Sequence, residues 1–281
     1  MSQKSYNNTA TLYLVATPIG NMDDITFRAI ETLKNVEAIF SEDTRITSQL
    51  LKRHDINKKL IANHQYNEIE NSEKLLNYLK NGFDVALVTD RGTPIISDPG
   101  FDLSKVAIEN GYNVVAIPGA CALISALIVS NIAPQPFSFY GFLNSKESKR
   151  KKELEKLKSL DHTIIFYESP HRLSETLKNM YEIMGNRKCS ISREITKKFE
   201  EIYRGNLEEL KDEFNDVKGE LVIVLEGNKN VNNYDNLTLI EHVNLYIKEG
   251  CSSKEAIKNV AHERQLNKNE VYMEYHKNDK R

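Results

Sequence analysis

The 281-residue chain has only three cysteines, Cys121, Cys189 and Cys251, and none stands in a CxxC pair. That spacing offers neither a disulfide framework nor a zinc site, and it fits a reducing cytoplasm. Excess charge is also lacking: 38 Lys+Arg stand against 40 Asp+Glu, a formal net charge of −2. With no global positive field, contact with nucleic acid must come from a local patch. No stretch approaches the roughly 20 apolar residues of a spanning helix. Residues Met1 to Thr11 are polar, and the apolar run after them is too short for a signal peptide. A soluble cytoplasmic protein is expected, with neither membrane nor metal as partner. No GxGxxG follows the first apolar run, so a dinucleotide oxidoreductase lacks support. Internal repeats and long low-complexity tracts are absent.

What is present, four times, is an apolar run that ends in a Gly/Pro loop before a helical pattern. The most informative is Val85–Val88, followed by Thr89-Asp-Arg-Gly-Thr-Pro-Ile-Ile-Ser-Asp-Pro-Gly100 and a helix over Phe101–Asn110. The others are Leu12–Ala16 before Thr17–Asn21, Val114–Ile117 before Pro118-Gly119, and Thr163–Tyr167 before Glu168–Arg172. A strand that ends in such a loop is how an open α/β sheet builds a ligand crevice at its carboxyl edge. Free backbone N–H groups and small side chains let a flat polar cofactor approach there.

The pattern predicts an α/β fold: two α/β domains with a cofactor cleft between them and a small helical tail. The expected boundaries are 1–117 for the first domain, 118–227 for the second, and 228–281 for a linker and helical C-terminal domain. Strands are expected at Leu12, Ala38–Ser41, Ile61, Val85 and Val114. Five more follow at Phe137–Tyr140, Thr163–Tyr167, Cys189–Ser192, Glu201–Tyr203 and Glu220–Leu225. The Asn-rich stretch Gly227–Asn236 reads as a linker. Three short helices follow at Leu239–Lys248, Lys254–Arg264 and Lys268–Tyr275, a trihelical or helix-turn-helix-like arrangement.

Six motifs occur in order: Ala16-Thr-Pro-Ile-Gly-Asn-Met-Asp-Asp-Ile-Thr26, Ser41-Glu-Asp-Thr-Arg45, the Gly92–Gly100 loop, Ile117-Pro-Gly-Ala-Cys-Ala122, Phe166-Tyr-Glu-Ser-Pro-His-Arg172 and Arg193-Glu-Ile-Thr-Lys197. Together they resemble the tetrapyrrole-methylase superfamily of S-adenosylmethionine enzymes, and within it the branch that methylates small-subunit ribosomal RNA. The resemblance covers about residues 11 to 227. It implies S-adenosylmethionine as cofactor, a homodimer, and methyl transfer to the ribose 2′-oxygen of a cytidine in the decoding centre of 16S rRNA within the small subunit. It also implies Pro18, Gly20, Asp90, Gly92, Thr93, Pro94, Ile95, Ser97, Pro118, Gly119, Ala120, Ala122 and Tyr167 as cofactor-site residues. Where the family carries a small residue after the Asp of the main loop, this chain has Arg91. A cation beside a sulfonium is unfavourable, so Arg91 is expected to point toward solvent or RNA.

Methyl transfer from a sulfonium releases a neutral group and needs no acid to assist departure. The protein must hold donor and acceptor close and exclude water. A ribose hydroxyl is a poor nucleophile that a base would help. Asp98, Glu168, His171 and Lys197 stand in suitable loops, with Asp98 and Lys197 the catalytic candidates. Asp98 also stands where it would cap a helix beginning at Pro99, and Asp43 or Thr44 where one would cap the helix Arg45–His54. Glu42 and Arg45 are further candidates to line the cleft. RNA contacts are expected at Lys149, Arg150, Lys151 and Lys152, within the basic run Lys146–Lys152, and at His171, Arg172, Arg193 and Lys197. Competing roles are a solvated helix start for the run and pairing with Glu168 or Glu194 for Arg172, Arg193 and Lys197. Two other functions remain: methylation of a tetrapyrrole or another small molecule, and a non-catalytic ribosome-associated RNA-binding factor.

Overall fold

The computed structural model describes residues 3–5, 7–64, 67–214, 216–229, 237–248, 250–264 and 266–277. The chain forms two compact units, one reaching to Asn228 and one from Lys229 onward.

The first unit begins with five strands, β1 (Thr11–Val15), β2 (Ala38–Ser41), β3 (Lys59–Ala62), β4 (Val85–Val88) and β5 (Asn113–Ile117). They form one sheet in the order β3-β2-β4-β1-β5, with every pairing parallel. Parallel strands need crossovers, and helices supply them: α1 (Phe27–Asn35), α2 (Thr44–Arg53), α3 (Glu68–Lys80) and α4 (Phe101–Glu109). Side-chain alternation explains why the strands read as unbroken apolar runs. Val85 and Leu87 pack with Leu75, Leu79 and Leu103 on one face. Ala86 and Val88 pack with Leu33, Ile39 and Leu51 on the other. A sheet covered on both faces buries its inner strands, and every residue of β2 and β4 is buried.

After α5 (Ala122–Val129) a second sheet follows: β6 (Phe137–Phe142), β7 (Thr163–Glu168), β8 (Lys188–Arg193), β9 (Glu201–Asn206) and β10 (Leu221–Leu225). Its order is β6-β7-β10-β8-β9. Only β6 and β7 run parallel; β10 is antiparallel to both its neighbours, as β8 is to β9. Leu221, Ile223 and Leu225 face α6 (Glu147–Leu157) and α7 (Leu173–Met184), whereas Val222 and Val224 face α5. After Asn206 comes a single turn, α8 (Leu207–Leu210), closed by a capping box between Asn206 and Glu209.

All ten expected strands are present. The first helix starts at Phe27 because Thr26 caps it by accepting from the Ala29 N–H. The fifth starts at Ala122, so Pro118–Cys121 stays extended loop. Asp43 caps α2 as expected, accepting from the Arg45 N–H. Asp98 does not cap α4. That helix begins after Gly100, at φ 122°, and the side chain at its N-terminus is Glu68, which accepts from the Gly100 N–H at 2.5 Å and the Asp102 N–H at 3.4 Å.

The second unit holds α9 (Leu239–Lys248), α10 (Ser253–Glu263) and α11 (Lys268–Lys277) around Val243, Ile257, Val260 and Val271. Ser252 and Glu255 make the capping box that starts α10. Of the expected linker, residues 230–236 lie outside the described residues. No helix among the described residues is long and apolar enough to cross a membrane.

Arg150 requires a correction. It is expected on an RNA surface, yet its side chain is wholly buried between α6 and α7. Its Nε donates to Asn179 Oδ1 at 2.8 Å and its Nη2 to Glu175 at 3.0 Å. A buried guanidinium is tolerable only with such partners. Arg150→Ala should lower the unfolding free energy by about 3 kcal/mol in a denaturant titration. The exposed neighbours Lys149→Ala and Lys152→Ala should change it by less than about 0.5 kcal/mol.

Candidate functional site

The loops after β1, β2, β4 and β5 all leave the carboxyl edge of the first sheet and meet there, because β2, β4, β1 and β5 are adjacent. Thr17 and Gly92 exchange two backbone hydrogen bonds, of 2.8 and 3.1 Å, and Thr17 Oγ1 donates to the Thr89 carbonyl. The β1 and β4 loops are thereby tied together. Gly92 stands at φ 88°, and a Cβ there would lie 3.2 Å from Ile19 Cγ2. Gly119 fits against Ala16, whose Cβ would stand 3.0 Å from its own. These glycines permit close packing between loops.

Facing this edge, the second sheet contributes the ends of β6 and β7, the loop after β8 and the start of β10. Between them lies a cleft of about 320 Å³. That is at the lower end of the roughly 300–1,000 Å³ of small-molecule sites. Apolar groups line it from both sides: Ile19, Ile96, Cys121 and Ala122 on one, Phe142, Tyr167, Ile195, Leu221 and Val222 on the other. Polar groups are few: Thr93, Ser97, Asp98, Glu168 and Ser169, with Arg91 and Glu220 completing the lining.

Of the expected cofactor residues, Gly92, Thr93, Ser97, Ala122 and Tyr167 line the cleft, as does the catalytic candidate Asp98. Pro18, Gly20, Asp90, Pro94, Ile95, Pro118, Gly119 and Ala120 do not line it; they build the loops behind it. Pro18 and Pro94 are buried. Gly20 lies under the Lys197 methylenes. Asp90 faces away, accepting from the Asp43 N–H at 2.9 Å. Tyr167 stacks edge-on against Phe139 and Phe142. Burial first, then the neighbouring Cys121, pushes its phenol up to about 12, so it stays protonated.

The stretch Thr93–Asp98 is unusual. Ile95 and Ser97 stand at φ 76° and 67°, in the left-handed region. Among the described residues, the N–H groups of Thr93, Ile95, Ser97 and Asp98 donate to no protein acceptor, while Pro94 and Ile95 form a turn. A polar ligand with acceptor atoms fits such a row of donors. Asp98 closes the row. Burial, followed by the nearby Glu42 and Asp90 carboxylates, pushes its carboxyl up to about 7, against a weaker opposing hydrogen bond with Thr89. Thr89 Oγ1 donates to Glu42 Oε2 at 2.8 Å. Asp43 is held down at about 2, chiefly by the Arg45 guanidinium.

The cleft mouth carries ion pairs. Arg91 does not run free to solvent; it reaches Glu220 of β10's approach. Lys197 Nζ bonds Glu194 at 2.7 Å and Glu220 at 3.1 Å. These carboxylates balance the cations that the sequence places beside the site. Arg172 is likewise engaged, with the buried Glu168 and the Leu143 carbonyl. Arg193 bonds Glu201 and the Lys218 carbonyl rather than Glu194. Lys151 pairs with Glu147 and Glu182. Of the expected RNA residues, Lys149, Lys152 and His171 are the exposed ones. No cluster of potential metal-binding side chains occurs among the described residues.

Residues 11–211 match the family model of tetrapyrrole (corrin/porphyrin) methylases. Over 98% of its length the chain is 48% identical to ribosomal RNA small subunit methyltransferase I of Bacillus subtilis (strain 168), covering 97% of that protein. The protein of the same name from Haemophilus influenzae is 44% identical over 82% of this chain and 83% of its own. The chain belongs to the tetrapyrrole methylase family. Among solved members of this fold, the methyltransferase CobJ superposes with a TM-score of 0.59 at 17% identity, covering 78% of this chain and 94% of its own. Uroporphyrin-III C-methyltransferase from Thermus thermophilus, complexed with S-adenosyl homocysteine, superposes at 0.56 with 17% identity, covering 77% and 97%. These two establish the fold alone.

Glu68 is a site-building residue that sequence reading missed. No local motif links it to Gly100, 32 positions away; only the packing of α3 against α4 does. In this family member, Glu68→Ala should cost about 1–3 kcal/mol by leaving two N–H groups without their acceptor. Amide exchange over residues 91–102 should accelerate more than elsewhere; uniform exchange would assign Glu68 no part in holding the loop.

Proposed function

We propose that this protein is an S-adenosylmethionine-dependent methyltransferase of small-subunit ribosomal RNA, acting on the ribose 2′-oxygen of a decoding-centre cytidine. One observation carries the reading: the near full-length similarity to proteins named for small-subunit ribosomal RNA methylation. The cleft fits the donor chemically. Its N–H row at Thr93–Asp98 suits carboxylate, ribose and ring acceptors, and its apolar walls suit a flat base. Asp98, in its ionised form, offsets the donor's positive charge. When bound, the cofactor supplies a methyl group on a sulfonium.

The residues then divide the work. Gly92, Thr93, Ser97, Ala122 and Tyr167 hold the donor and keep water out. Asp98 accepts the proton of the incoming hydroxyl. Lys197 lies at the mouth and balances carboxylates there. Lys149, Lys152 and His171 are the side chains left exposed for phosphates. The working form in this reading is a cytoplasmic homodimer with domains 1–117, 118–227 and 228–281. The exposed Ile124 and Ile128, one turn apart on α5, support a partner surface.

Gly92→Leu should abolish binding of S-adenosylhomocysteine in calorimetry, since position 92 is left-handed and closely packed. The circular dichroism spectrum should stay that of the parent. Radiolabel from S-adenosylmethionine should enter assembled small subunits, and not naked RNA or a tetrapyrrole. Label on the tetrapyrrole alone would replace the acceptor, and no label anywhere would remove the enzyme.

Proton acceptance by Asp98 has a pH signature. Its carboxyl gains a proton as pH falls through about 7, so kcat/KM should drop on that acid side. In Asp98→Asn the rate should be at least about tenfold lower and the acid limb absent. The stability sign is fixed too. A carboxyl raised from 3.8 to about 7 binds its proton more tightly when folded, so its contribution falls as pH rises through that window. Asp98→Asn should therefore melt higher than the parent above pH ~7, with the gap closing below ~4.

A further inference from the structure

We propose that Glu220 is a specificity-determining residue for a cationic donor: its carboxylate cancels the Arg91 charge at the cleft and lets a sulfonium compete with the neutral thioether left after transfer. This inference rests on the methyltransferase reading and concerns how the cleft ranks S-adenosylmethionine against S-adenosylhomocysteine.

Both residues line the cleft, one from each side. Arg91 stands in the β4 loop of the first sheet and Glu220 immediately precedes β10 of the second; the guanidinium Nη1 donates to Glu220 Oε1. The other carboxylate oxygen, Oε2, accepts from Lys197 Nζ at 3.1 Å. Backbone bonds fix the root of this carboxylate. The Glu194 N–H donates to the Glu220 carbonyl at 2.9 Å, and the Glu220 N–H donates to Glu194 Oε1 at 2.9 Å. That same Glu194 oxygen accepts from Lys197 Nζ at 2.7 Å. The β8 loop that carries Glu194 and Lys197 is held in a costly form, with Glu194 and Thr196 at φ 53° and 68°. It is anchored to the β1 loop as well: the Asn21 N–H donates to Thr196 Oγ1 at 3.2 Å, and the Lys197 methylenes cover Gly20. Gly219 leaves room for Glu194, since a Cβ there would lie 2.6 Å from the Glu194 side chain.

Two cations and two carboxylates thus meet at the mouth, and their formal charges cancel. The other charged groups of the lining are Asp98 and Glu168, and Glu168 is matched by Arg172. Glu194 stands off the lining, so Glu220 is the carboxylate of this group that the cleft exposes. S-adenosylmethionine carries a sulfonium, whereas S-adenosylhomocysteine carries a neutral thioether. The two differ by a methyl group and one positive charge. Contacts to the base, the ribose and the amino-acid end are common to both and drop out of the ratio of their affinities. A net charge on the lining does not drop out, because it acts on the sulfonium alone. An unmatched Arg91 would repel the donor and leave the cleft favouring its own product. Arg91 and Glu220 are each about half exposed, so water and salt weaken this effect without removing it.

Glu220→Gln removes the charge and keeps a hydrogen-bond acceptor, because its amide oxygen can still accept from Arg91 or Lys197. Calorimetry on the full chain at low ionic strength gives Kd for S-adenosylmethionine and for S-adenosylhomocysteine. In Glu220→Gln the ratio of the first to the second should rise about three- to tenfold. In Arg91→Met it should fall by a similar factor, and in the double variant it should return to within about twofold of the parent. Both shifts should shrink at about 0.5 M salt. A pair that only ties the two sides of the cleft together would weaken both ligands equally and leave the ratio where it was. A ratio within about twofold of the parent in Glu220→Gln, or a shift in the same direction in both single variants, overturns the inference. If Glu220→Gln does not fold, the direction of the Arg91→Met shift decides alone. A parent that binds neither ligand would sink the methyltransferase reading and this inference with it. A parent that binds both, with a ratio that no variant moves, sinks the inference only.

Discussion

The structure depends on a loop that presents unpaired backbone donors without collapsing. Between residues 93 and 98 the N–H groups of Thr93, Ile95, Ser97 and Asp98 are left without a protein acceptor, and two residues, Ile95 and Ser97, stand in left-handed conformations. Such strain costs on the order of 1–3 kcal/mol per residue and persists only where neighbours over-determine it. Both ends are over-determined here. Gly92 is stitched to Thr17 by a two-way backbone pair, and Gly100 is held by the Glu68 carboxylate at the start of α4. The Gly100 position is itself closed to other residues, since a Cβ would fall 2.3 Å from Leu87 Cδ2. The loop is therefore a rigid span between two anchors on the sheet.

The same logic separates structural from available charge. Sequence reading treats Lys149–Lys152 as one basic patch, but the helix turns about 100° per residue and cannot present four consecutive side chains to one surface. Arg150 points inward and is satisfied there by Asn179 and Glu175, while Lys149 and Lys152 point out. Arg172 behaves like Arg150: a buried Glu168 needs a cation, and a cation four residues on supplies it. The chain's near-zero net charge thus overstates how little positive surface exists in one sense and understates it in another. Several cations are consumed internally, and so are the carboxylates that pair with them.

How far the sequence carried depended on the range of the interaction. Strands β1, β4, β5 and β7 were legible because each ends in turn chemistry that has a local cause. The Asp43 and Ser252 caps were legible for the same reason. Gly92, Thr93, Ser97, Asp98, Ala122 and Tyr167 came to the cleft because the carboxyl edge of a parallel sheet collects the loops that follow its strands. Glu220, Leu221 and Val222 escaped because β10 is antiparallel and brings its first residues, not its last, to the site. No periodicity announces strand direction. The role of Asp98 was half legible: the motif marked it, but the helix it was a candidate to cap begins two residues later and is served by a residue from α3. Contacts between residues distant in sequence decide such cases.

Floor and rim of the cleft are built with interactions of different strength. The floor rests on backbone pairs and a buried carboxylate, groups that cost about 1–3 kcal/mol each when left unmatched. The rim rests on Arg91–Glu220 and Lys197–Glu220, where Arg91 and Glu220 are each about half exposed. Exposed pairs contribute roughly 0–1 kcal/mol and weaken with salt. One carboxylate serves both cations, so neither pair gains the full attraction of an isolated partner. Lys197 adds packing: its methylenes lie on Gly20, where no Cβ intrudes. A substitution at Gly20 would thus act on the rim through a displaced lysine, while one at Gly92 acts on the floor through the backbone. The two glycines stand in adjoining loops of one site, yet they guard different parts of it by different physics.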